Sequence, residues 1–400
     1  MAAVVTAGTG RVWGILLVFI FNSCQSLFNG GDSYSRALTV QLFPNSNSTP
    51  PGGELLHVRA VGENDTLHFL FCSQGAPTLL IVHTNSSSST VKVNWRQFLA
   101  RNTSGSLTVE PQSSILYSTA VVFSRLLEYD DENNTAEATS NFFPAYELQD
   151  FSWSRMNLSD YTAVLCGSVP QSSNGSLCLQ LSVFGSEGRA ELWPRLLHSA
   201  NSSQLEVWLN GLLPRSNTSR FILELQAVGG AYPLSKVDVL QFIDDEYTPS
   251  IFKVSQWVSS ANNSSDVLGF IQWKPVAYRK SCPALEDATP CQNSDPLAQS
   301  GNTTTASSAL IQAFYSDPKA MGMNVSFGMA GEPFYNSTMF LSWTMLVGVG
   351  SPPVDSFSPM VIGIMTAGLG IPIVLLLVGG VYLFFMKKKE TSKMAYEPIN

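Results

Sequence analysis

The sequence predicts an all-β ectodomain of the β-sandwich type, followed by one C-terminal transmembrane helix. Many short apolar segments alternate with clusters of Gly, Pro, Ser and Asn, which is typical of strands joined by turns. The sequence has no convincing amphipathic helix of more than three turns. A long uncharged segment lies near the C-terminus, at residues 360–386. Together these observations favour strands for the ectodomain and a helix only at its membrane end.

The predicted strands are short and regularly spaced, as in sandwiches and barrels. Residues 55–61 and 67–71 are predicted to form a hairpin. Further strands are predicted at residues 78–83, 91–95, 115–127, 161–166, 177–184, 204–209, 220–228, 238–243, 268–273 and 340–349. The ectodomain is long enough for one large domain or two ordinary ones. Weak internal sequence similarity leaves two packed β-domains open as an alternative to a continuous sandwich.

Signals at both ends of the chain set its division into segments. Arg11 precedes a short apolar run at residues 12–21 and then a small, polar stretch, which is the pattern of a signal peptide. Residues 360–386 are long enough to cross a hydrocarbon layer of ~30 Å. The three lysines that follow indicate the cytosolic side. The predicted segments are a signal peptide (1–26), a first lumenal β-domain (27–190), a second lumenal β-domain (191–356), a transmembrane helix (357–386) and a cytosolic tail (387–400).

Composition limits the classes of function. Apolar residues make up 44% of the chain, enough for a substantial core, but charged residues only 13%, about half the usual share of roughly 25%. The net charge of −8 is spread along the chain without a basic patch, which argues against nucleic-acid binding. Ser, Thr and Asn must therefore supply much of the polar surface.

Glycosylation sequons are dense and all precede the transmembrane segment. The fourteen Asn-x-Ser/Thr acceptors are Asn47, Asn64, Asn85, Asn102, Asn133, Asn157, Asn174, Asn201, Asn217, Asn262, Asn263, Asn302, Asn324 and Asn336. Asn262 and Asn263 overlap, so we expect only one of them to be used. Because a glycan needs an exposed acceptor, the sequons also predict loops. Either they form a shield against proteases in a degradative lumen, or they reflect ordinary glycosylation that aids folding.

The cysteines fit an oxidising compartment. Cys166 and Cys178 lie at facing ends of two predicted strands, and Cys282 and Cys291 close a proline-containing loop. We predict a disulfide within each of these two pairs, worth roughly 2–3 kcal/mol each if unstrained. Cys72 is left over, either as a buried thiol or as one end of an intermolecular bridge. The cysteine spacings do not match a zinc site.

The tail carries a candidate sorting signal. It ends in Tyr396-Glu397-Pro398-Ile399-Asn400, and Tyr-x-x-apolar is the pattern that clathrin adaptors bind in an extended peptide. Pro398 favours that extended backbone for Glu397. Short tails of this kind are typical of lysosomal membrane proteins, so we predict a single-pass type I protein of the lysosomal membrane. The alternative is a solvated tail with a chance tyrosine.

One face of the transmembrane helix consists of small residues. Gly363, Ala367 and Gly370 recur at helical spacing, and small residues let a second helix approach closely. We predict a packing face for a multi-span partner, although glycine is also frequent in membrane helices for other reasons. One uncharged span cannot carry a proton relay, so the chain is not itself a transporter.

Known catalytic patterns do not occur in the sequence. It has no His-Glu-x-x-His, no Gly-x-Ser-x-Gly and no phosphate-binding glycine loop, and we predict no enzyme activity, cofactor or metal. Two Asp-Asp-Glu clusters, at residues 130–132 and 244–246, would suit a glycosidase pair, calcium or solvated turns. His57 and His68 flank the first hairpin, either as exposed strand residues or as sensors of lumenal pH.

Eight stretches, spread over nearly the whole mature chain, carry a resemblance to a known family. They are residues 55–62 (LLHVRAVG), 66–69 (TLHF), 93–95 (VNW), 243–247 (IDDEY), 272–277 (QWKPVA), 341–343 (LSW), 351–365 (SPPVDSFSPMVIGIM) and 396–400 (YEPIN). These stretches resemble the glycosylated lysosomal membrane protein family, in particular a non-mammalian vertebrate member. The juxtamembrane block at residues 351–365 is the most specific of them.

The resemblance implies a role that the residue patterns alone do not supply. It implies a non-catalytic accessory subunit of a lysosomal transporter, major facilitator superfamily domain-containing protein 1, which exports dipeptides and lacks its own glycan shield. The glycosylated ectodomain would protect this transporter from lumenal proteolysis, and the tail would bind a clathrin adaptor. Two alternatives stay open: a lumenal acid hydrolase that uses the acidic clusters, and a cell-surface adhesion or receptor protein.

Overall fold

The computed structural model describes most of the ectodomain and the membrane helix. The described residues are 34–43, 53–100, 105–138, 141–169, 175–191, 193–229, 238–241, 253–260, 266–299, 308–316, 318–354 and 359–394. The signal peptide predicted at residues 1–26 lies outside them.

The described residues contain twenty-four strands and three α-helices, numbered here in chain order. The strands are β1 (Ala37–Phe43), β2 (Leu55–Val61), β3 (Thr66–Cys72), β4 (Thr78–Thr84), β5 (Thr90–Val93), β6 (Leu107–Glu110), β7 (Ile115–Asp130), β8 (Tyr146–Glu147), β9 (Ser152–Trp153), β10 (Asn157–Ser159), β11 (Thr162–Ser168), β12 (Ser176–Val183), β13 (Gly188–Arg189), β14 (Leu197–His198), β15 (Ser202–Asn210), β16 (Ser219–Gly229), β17 (Asp238–Gln241), β18 (Lys253–Ser260), β19 (Val267–Trp273), β20 (Val276–Tyr278), β21 (Ala288–Asn293), β22 (Leu297–Gln299), β23 (Lys319–Phe327) and β24 (Phe340–Val349). The helices are α1 (Trp95–Leu99), α2 (Ala309–Phe314) and α3 (Pro359–Met394).

Twenty of these strands form two antiparallel sheets, and the other four form the β5–β6 and β13–β14 pairs. The first sheet has the order β1, β2, β3, β4, β7, β16 and β23, with β8 beside β7 and with β21 and β22 beyond β23. The second has the order β10, β11, β12, β15, β24, β19, β18 and β17, with β9 beside β11 and β20 beside β24. Because β21 pairs with β20 of the second sheet and with β23 of the first, it connects the two sheets.

The main core lies between the two sheets. Side chains alternate across a strand, so Leu56 and Val58 of β2 and Leu205 and Val207 of β15 all point into this core. Fully burying a side chain of this size contributes roughly 1.5–3 kcal/mol. The prediction of an all-β sandwich ectodomain with one C-terminal apolar helix is therefore confirmed.

A second apolar layer covers the outer face of the first sheet. It is formed by the β5–β6 hairpin and the short helices α1 and α2. Leu79 and Ile81 of β4 face the main core, whereas Leu80 and Val82 face this outer layer. Burial on both faces explains why β4 has a continuous apolar sequence instead of an alternating one.

The predicted boundary between two β-domains at residues 190 and 191 does not coincide with a boundary in the structure. Residues 34–354 form one compact unit. β12 and β15 lie on either side of that position in sequence and pair directly, from Ser176 opposite Asn210 to Val183 opposite Ser203. Both strands contribute to the same core, so the described part of the ectodomain is one continuous sandwich.

A buried ion pair connects the end of β7 to the start of β16. The side chains of Asp131 and Arg220 each expose only 3% of their surface, and Arg220 Nε lies 2.6 Å from Asp131 Oδ2. The Asp131 carboxylate also accepts hydrogen bonds from the backbone N–H groups of Thr135 and Ala136. Burial alone would raise the pKa of Asp131, but Arg220 and these N–H donors lower it below its usual value. Asp131 is therefore held in its charged form.

Two histidines of the β2–β3 hairpin meet inside the ectodomain. His57 Nε2 lies 2.9 Å from His68 Nδ1, and His68 Nε2 lies 2.8 Å from Ser89 Oγ. The expectation that these histidines are exposed is wrong, because the outer layer extends over them and Phe43 stacks on the His57 ring. Burial lowers the pKa of His57 to about 4, with Arg59 adding to the shift. Burial lowers the pKa of His68 to about 3, with His57 and Arg59 adding to it.

The Asp131–Arg220 ion pair gives a direct stability prediction. Asp131→Asn removes the negative charge but leaves the Arg220 guanidinium buried, so the free energy of unfolding should fall by about 3 kcal/mol. The measurement is thermal or denaturant unfolding of the full-length protein. Glu132→Gln is the matched control, because Glu132 is exposed and its substitution should change stability by less than about 0.5 kcal/mol. Equal losses in the two variants would contradict a structural role for the pair.

The histidine pair predicts that the protein loses stability on acidification. With both pKa values below the usual 6.5, the unfolded chain binds more protons below about pH 6.5, so this stability is present above that pH and is lost as the pH falls toward 4. In His57→Phe, the stability lost between about pH 7 and pH 5 should be smaller than in the wild type by about 2 kcal/mol.

Unfolding at a series of pH values measures the effect of His57→Phe. Phe43→Leu is its control, because it loosens the ring stack on His57 without removing a titrating group. This variant should be less stable at every pH, with the wild-type slope. A wild-type slope in His57→Phe would show that the histidine pair does not set the acid sensitivity.

Candidate functional site

The acceptor asparagines are the first candidate functional feature. Eight of the fourteen lie in the described residues. Six of these eight are exposed: Asn64, Asn85, Asn133, Asn157, Asn217 and Asn336. Asn201 and Asn324 are partly buried. The other six, Asn47, Asn102, Asn174, Asn262, Asn263 and Asn302, lie outside the described residues.

Most of the exposed acceptors lie in turns, as their sequence context predicts. Asn64 lies in the turn between β2 and β3, Asn85 directly follows β4, and Asn133 lies in the turn that follows β7. Asn217 lies in the turn before β16, and Asn336 in the short turn before β24. Loop backbones have fewer neighbouring strands than sheet interiors, so a bulky glycan fits there without disturbing packing.

Asn157 occupies a different position, at the start of β10. In the part of the chain that the structure describes, β10 pairs with β11 alone and so forms an edge of the second sheet. The open side of an edge strand can pair with another chain, and natural proteins block such edges in several ways. A glycan on the exposed Asn157 side chain would be one of them.

The two partly buried acceptors have defined polar surroundings. Asn201 Oδ1 accepts a hydrogen bond from Arg36 Nε at 2.9 Å, which leaves Nδ2, the atom that a glycan modifies, uninvolved in this bond. Asn324 lies inside β23, opposite Glu224 of β16. On its other side, its backbone N–H donates to Ser294 Oγ at 3.0 Å. Asn324 therefore departs from the expectation that sequons mark loops.

The structure supports one predicted disulfide and contradicts the other. Cys166 and Cys178 are directly opposite each other on β11 and β12 and are bonded. The Cys282–Cys291 prediction is wrong, because Cys282 is exposed on a loop whereas Cys291 points from β21 into the main core. Burial raises the pKa of the Cys291 thiol and keeps it protonated. Cys72 is buried in β3, where its sulfur accepts a hydrogen bond from Gln74 N.

The three carboxylates of the first acidic cluster, at residues 130–132, do not converge on one site. Asp130 accepts a hydrogen bond from the Thr218 hydroxyl, Asp131 pairs with Arg220, and Glu132 is exposed. A glycosidase needs two carboxylates on opposite sides of one bond, and these three carboxylates do not face a common cleft. Among the described residues, no group of three or more His, Cys, Asp or Glu is suited to bind a metal ion. The second cluster, at residues 244–246, lies outside them.

The long helix α3 contains the candidate membrane span. Its segment Gly368–Lys389 is 22 residues long, and the most apolar 18 residues within it have a mean hydropathy of 2.4. At ~1.5 Å per residue the segment exceeds the thickness of a bilayer core. Gly363, Ala367 and Gly370 lie within α3 at the helical spacing read from the sequence. Their role in helix packing stays a prediction. The sorting motif at Tyr396–Ile399 lies outside the described residues.

A small pocket of about 20 Å³ lies at one end of the sandwich, where β16, β21 and β23 approach β24. Its lining includes two arginines, Arg220 and Arg279, together with Thr289 and Gly328. These residues belong to no motif that the sequence indicates. They are far apart in sequence and come together only through strand pairing, so no local spacing would have indicated the pocket.

Comparisons with known proteins place the chain in a family. The family described as glycosylated lysosomal membrane protein matches residues 54–390. The Danio rerio protein of that name is 53% identical, over 96% of this chain and 97% of the relative. The Xenopus laevis protein A is 39% identical over 98% and 100%, and the Homo sapiens protein is 38% identical over 92% and 91%.

Similarity to solved structures is too weak to inform the fold. The glucosidase II alpha subunit aligns at 11% identity and a TM-score of 0.16, over 82% of this chain and 34% of that one, and this carries no argument about activity. The name that these relatives share agrees with the exposed acceptor asparagines and the apolar helix of this chain. The chain belongs to the glycosylated lysosomal membrane protein family and is a single-pass glycoprotein of the lysosomal membrane.

Proposed function

We propose that this protein is a non-catalytic accessory subunit of a lysosomal major-facilitator transporter. The proposed partner is major facilitator superfamily domain-containing protein 1, a dipeptide exporter, as the family resemblance implies. In this role the ectodomain covers lumenal segments of the transporter and its glycans obstruct lysosomal proteases. The cytosolic tail binds a clathrin adaptor that directs the protein to lysosomes.

The observation that carries the proposal is the distribution of exposed acceptors over the sandwich. Asn64 and Asn85 lie at one end of the first sheet, whereas Asn133 and Asn217 lie at the other end. Asn157 lies on an edge strand of the second sheet. Glycans at these positions would cover both ends and one edge of the molecule. Such coverage suits a shield better than a site that must admit a macromolecular substrate.

The membrane helix supports an association within the bilayer. A single apolar span has no transport path of its own, but a face of small residues lets a neighbouring helix pack closely. Gly363, Ala367 and Gly370 lie within an arc of about 60° around a helix of 3.6 residues per turn. They therefore form one narrow stripe, which is the surface we assign to the transporter.

Removing the glycans should expose the transporter to proteolysis. In cells that lack this chain, the wild-type protein should restore the lysosomal half-life of the transporter. A variant with all six exposed acceptors changed to Gln should restore it poorly, because the ectodomain folds but lacks the covering sugars. Pulse–chase of the transporter, with and without lysosomal protease inhibitors, measures the effect, and the inhibitors should recover the half-life.

Asn210→Gln is the control for this experiment, because Asn210 is exposed but is not in a sequon. It should restore the half-life as well as the wild type does. The proposal fails if the transporter has the same half-life in cells with and without this chain. It also fails if the six-site variant protects the transporter fully.

Bulky side chains on the small-residue stripe should weaken the association. Gly363→Leu combined with Gly370→Leu should reduce the transporter recovered with the protein from detergent several-fold, since the two helices can no longer approach closely. Gly379→Leu is the matched control, because residue 379 lies on the opposite side of the helix at ~100° per residue. Equal recovery from the two variants would contradict the assignment of this stripe.

A further inference from the structure

The two arginines that line the small pocket approach it from different strands. Arg220 belongs to β16, and Arg279 directly follows β20. Thr289 of β21 and Gly328, which follows β23, lie between them in the lining. The pocket volume of about 20 Å³ is enough for one atom-sized occupant, since a single water needs roughly 10–15 Å³.

The Arg220 guanidinium is only partly satisfied by the protein. Its Nε donates to Asp131, and its Nη2 donates to Asn134 Oδ1 and to the Met329 carbonyl oxygen. Its Nη1 has no protein acceptor in the part of the chain that the structure describes. A Cβ added at Gly328 would lie 2.6 Å from this Nη1, so the glycine keeps space open beside it.

The Arg279 guanidinium is less satisfied still. Its Nη2 lies 3.5 Å from Glu332 Oε2, which is a long contact for a charged pair. Its Nη1 is buried and has no hydrogen-bond partner among the described residues. The Glu332 carboxylate is also shared, because it accepts hydrogen bonds from the Thr289 hydroxyl and from Met329 N.

Asp131 and Glu332 balance the two arginine charges in number, but among the described residues neither carboxylate accepts a hydrogen bond from the Nη1 group of either arginine. The pKa of Arg279 is lowered, chiefly by burial; Glu332 opposes this shift, whereas the positive charge of Arg220 adds to it. Asp131 is fully engaged with Arg220 and backbone donors. Aromatic side chains, including Phe221 and Phe340, form much of the remaining wall, and low-dielectric walls strengthen any charge interaction inside.

We propose that this pocket binds a small monovalent anion such as chloride, held between the Nη1 groups of Arg220 and Arg279. Both groups are donors without an acceptor among the described residues, and a bound anion would accept a hydrogen bond from each of them. The volume suits a halide better than a phosphate or sulfate with four oxygens. The bound anion would join the Arg279 loop to β16 and so stabilise this end of the sandwich.

Chloride dependence of stability tests the site. The full-length glycosylated protein in detergent is unfolded thermally while chloride replaces gluconate at constant ionic strength. Wild type should show a saturable rise in Tm of about 2–4 °C, since a ligand that binds the folded state alone stabilises it. Arg279→Met should abolish the rise.

Arg125→Met is the matched control. Arg125 also pairs with a carboxylate, that of Glu224, but it is 41% exposed and does not line the pocket. This variant should keep the full chloride response. The proposal is overturned if wild type melts at the same temperature in chloride and gluconate, or if Arg279→Met responds as wild type does.

A direct measurement decides the matter even if Arg279→Met does not fold. Chlorine NMR relaxation of wild-type protein should show line broadening that bromide reverses by competition. Broadening that bromide does not reverse would be a non-specific salt effect, and no broadening would mean that water alone fills the pocket. Either of these two results overturns the proposal.

Discussion

Burial of apolar side chains between the two sheets is the constraint on which the rest of the structure depends. Leu56, Val58, Leu205 and Val207 face one another across this core, so the alternate side chains on each strand must point outward. On the first sheet the outward side chains are covered again, by α1, α2 and the β5–β6 hairpin. Because both faces of that sheet are covered, its turns and edges remain free for glycans. Most of the exposed acceptors lie at such positions.

Two buried polar clusters of the ectodomain handle charge in different ways. Asp131 is kept charged by Arg220 and by backbone donors. His57 and His68 are kept neutral by burial and bond to each other. The ion pair and the histidine pair respond differently to acid. The ion pair persists because the pKa of Asp131 lies below its usual value, whereas the histidine pair costs stability as the pH falls.

Much of the fold could be predicted from the sequence because the signals were local. The hairpin of β2 and β3 and the long strand β24 follow from apolar runs bounded by turn residues. β23 was not predicted, because its sequence KAMGMNVSF contains a glycine and little alternation, and its position depends on pairing with β16 and β22. The Cys282–Cys291 prediction failed for the same kind of reason. Loop length suggested a bond, but strand pairing turned Cys291 into the core.

The candidate functional features differ in the same way, since some have local sequence signals and others depend on strand pairing. A short stretch of consecutive residues defines each acceptor asparagine, the apolar helix and the tail motif, so the sequence alone could indicate them. The arginine pocket joins residues from four strands, β16, β21, β23 and β24, so only the structure could show it. The central claim is that glycans on exposed turns protect a stable sandwich, and the most direct test is acid-protease digestion of the native protein before and after enzymatic deglycosylation. After deglycosylation, cleavage within the described turns should be faster, with Tm nearly unchanged. Equal cleavage rates before and after sugar removal would contradict it.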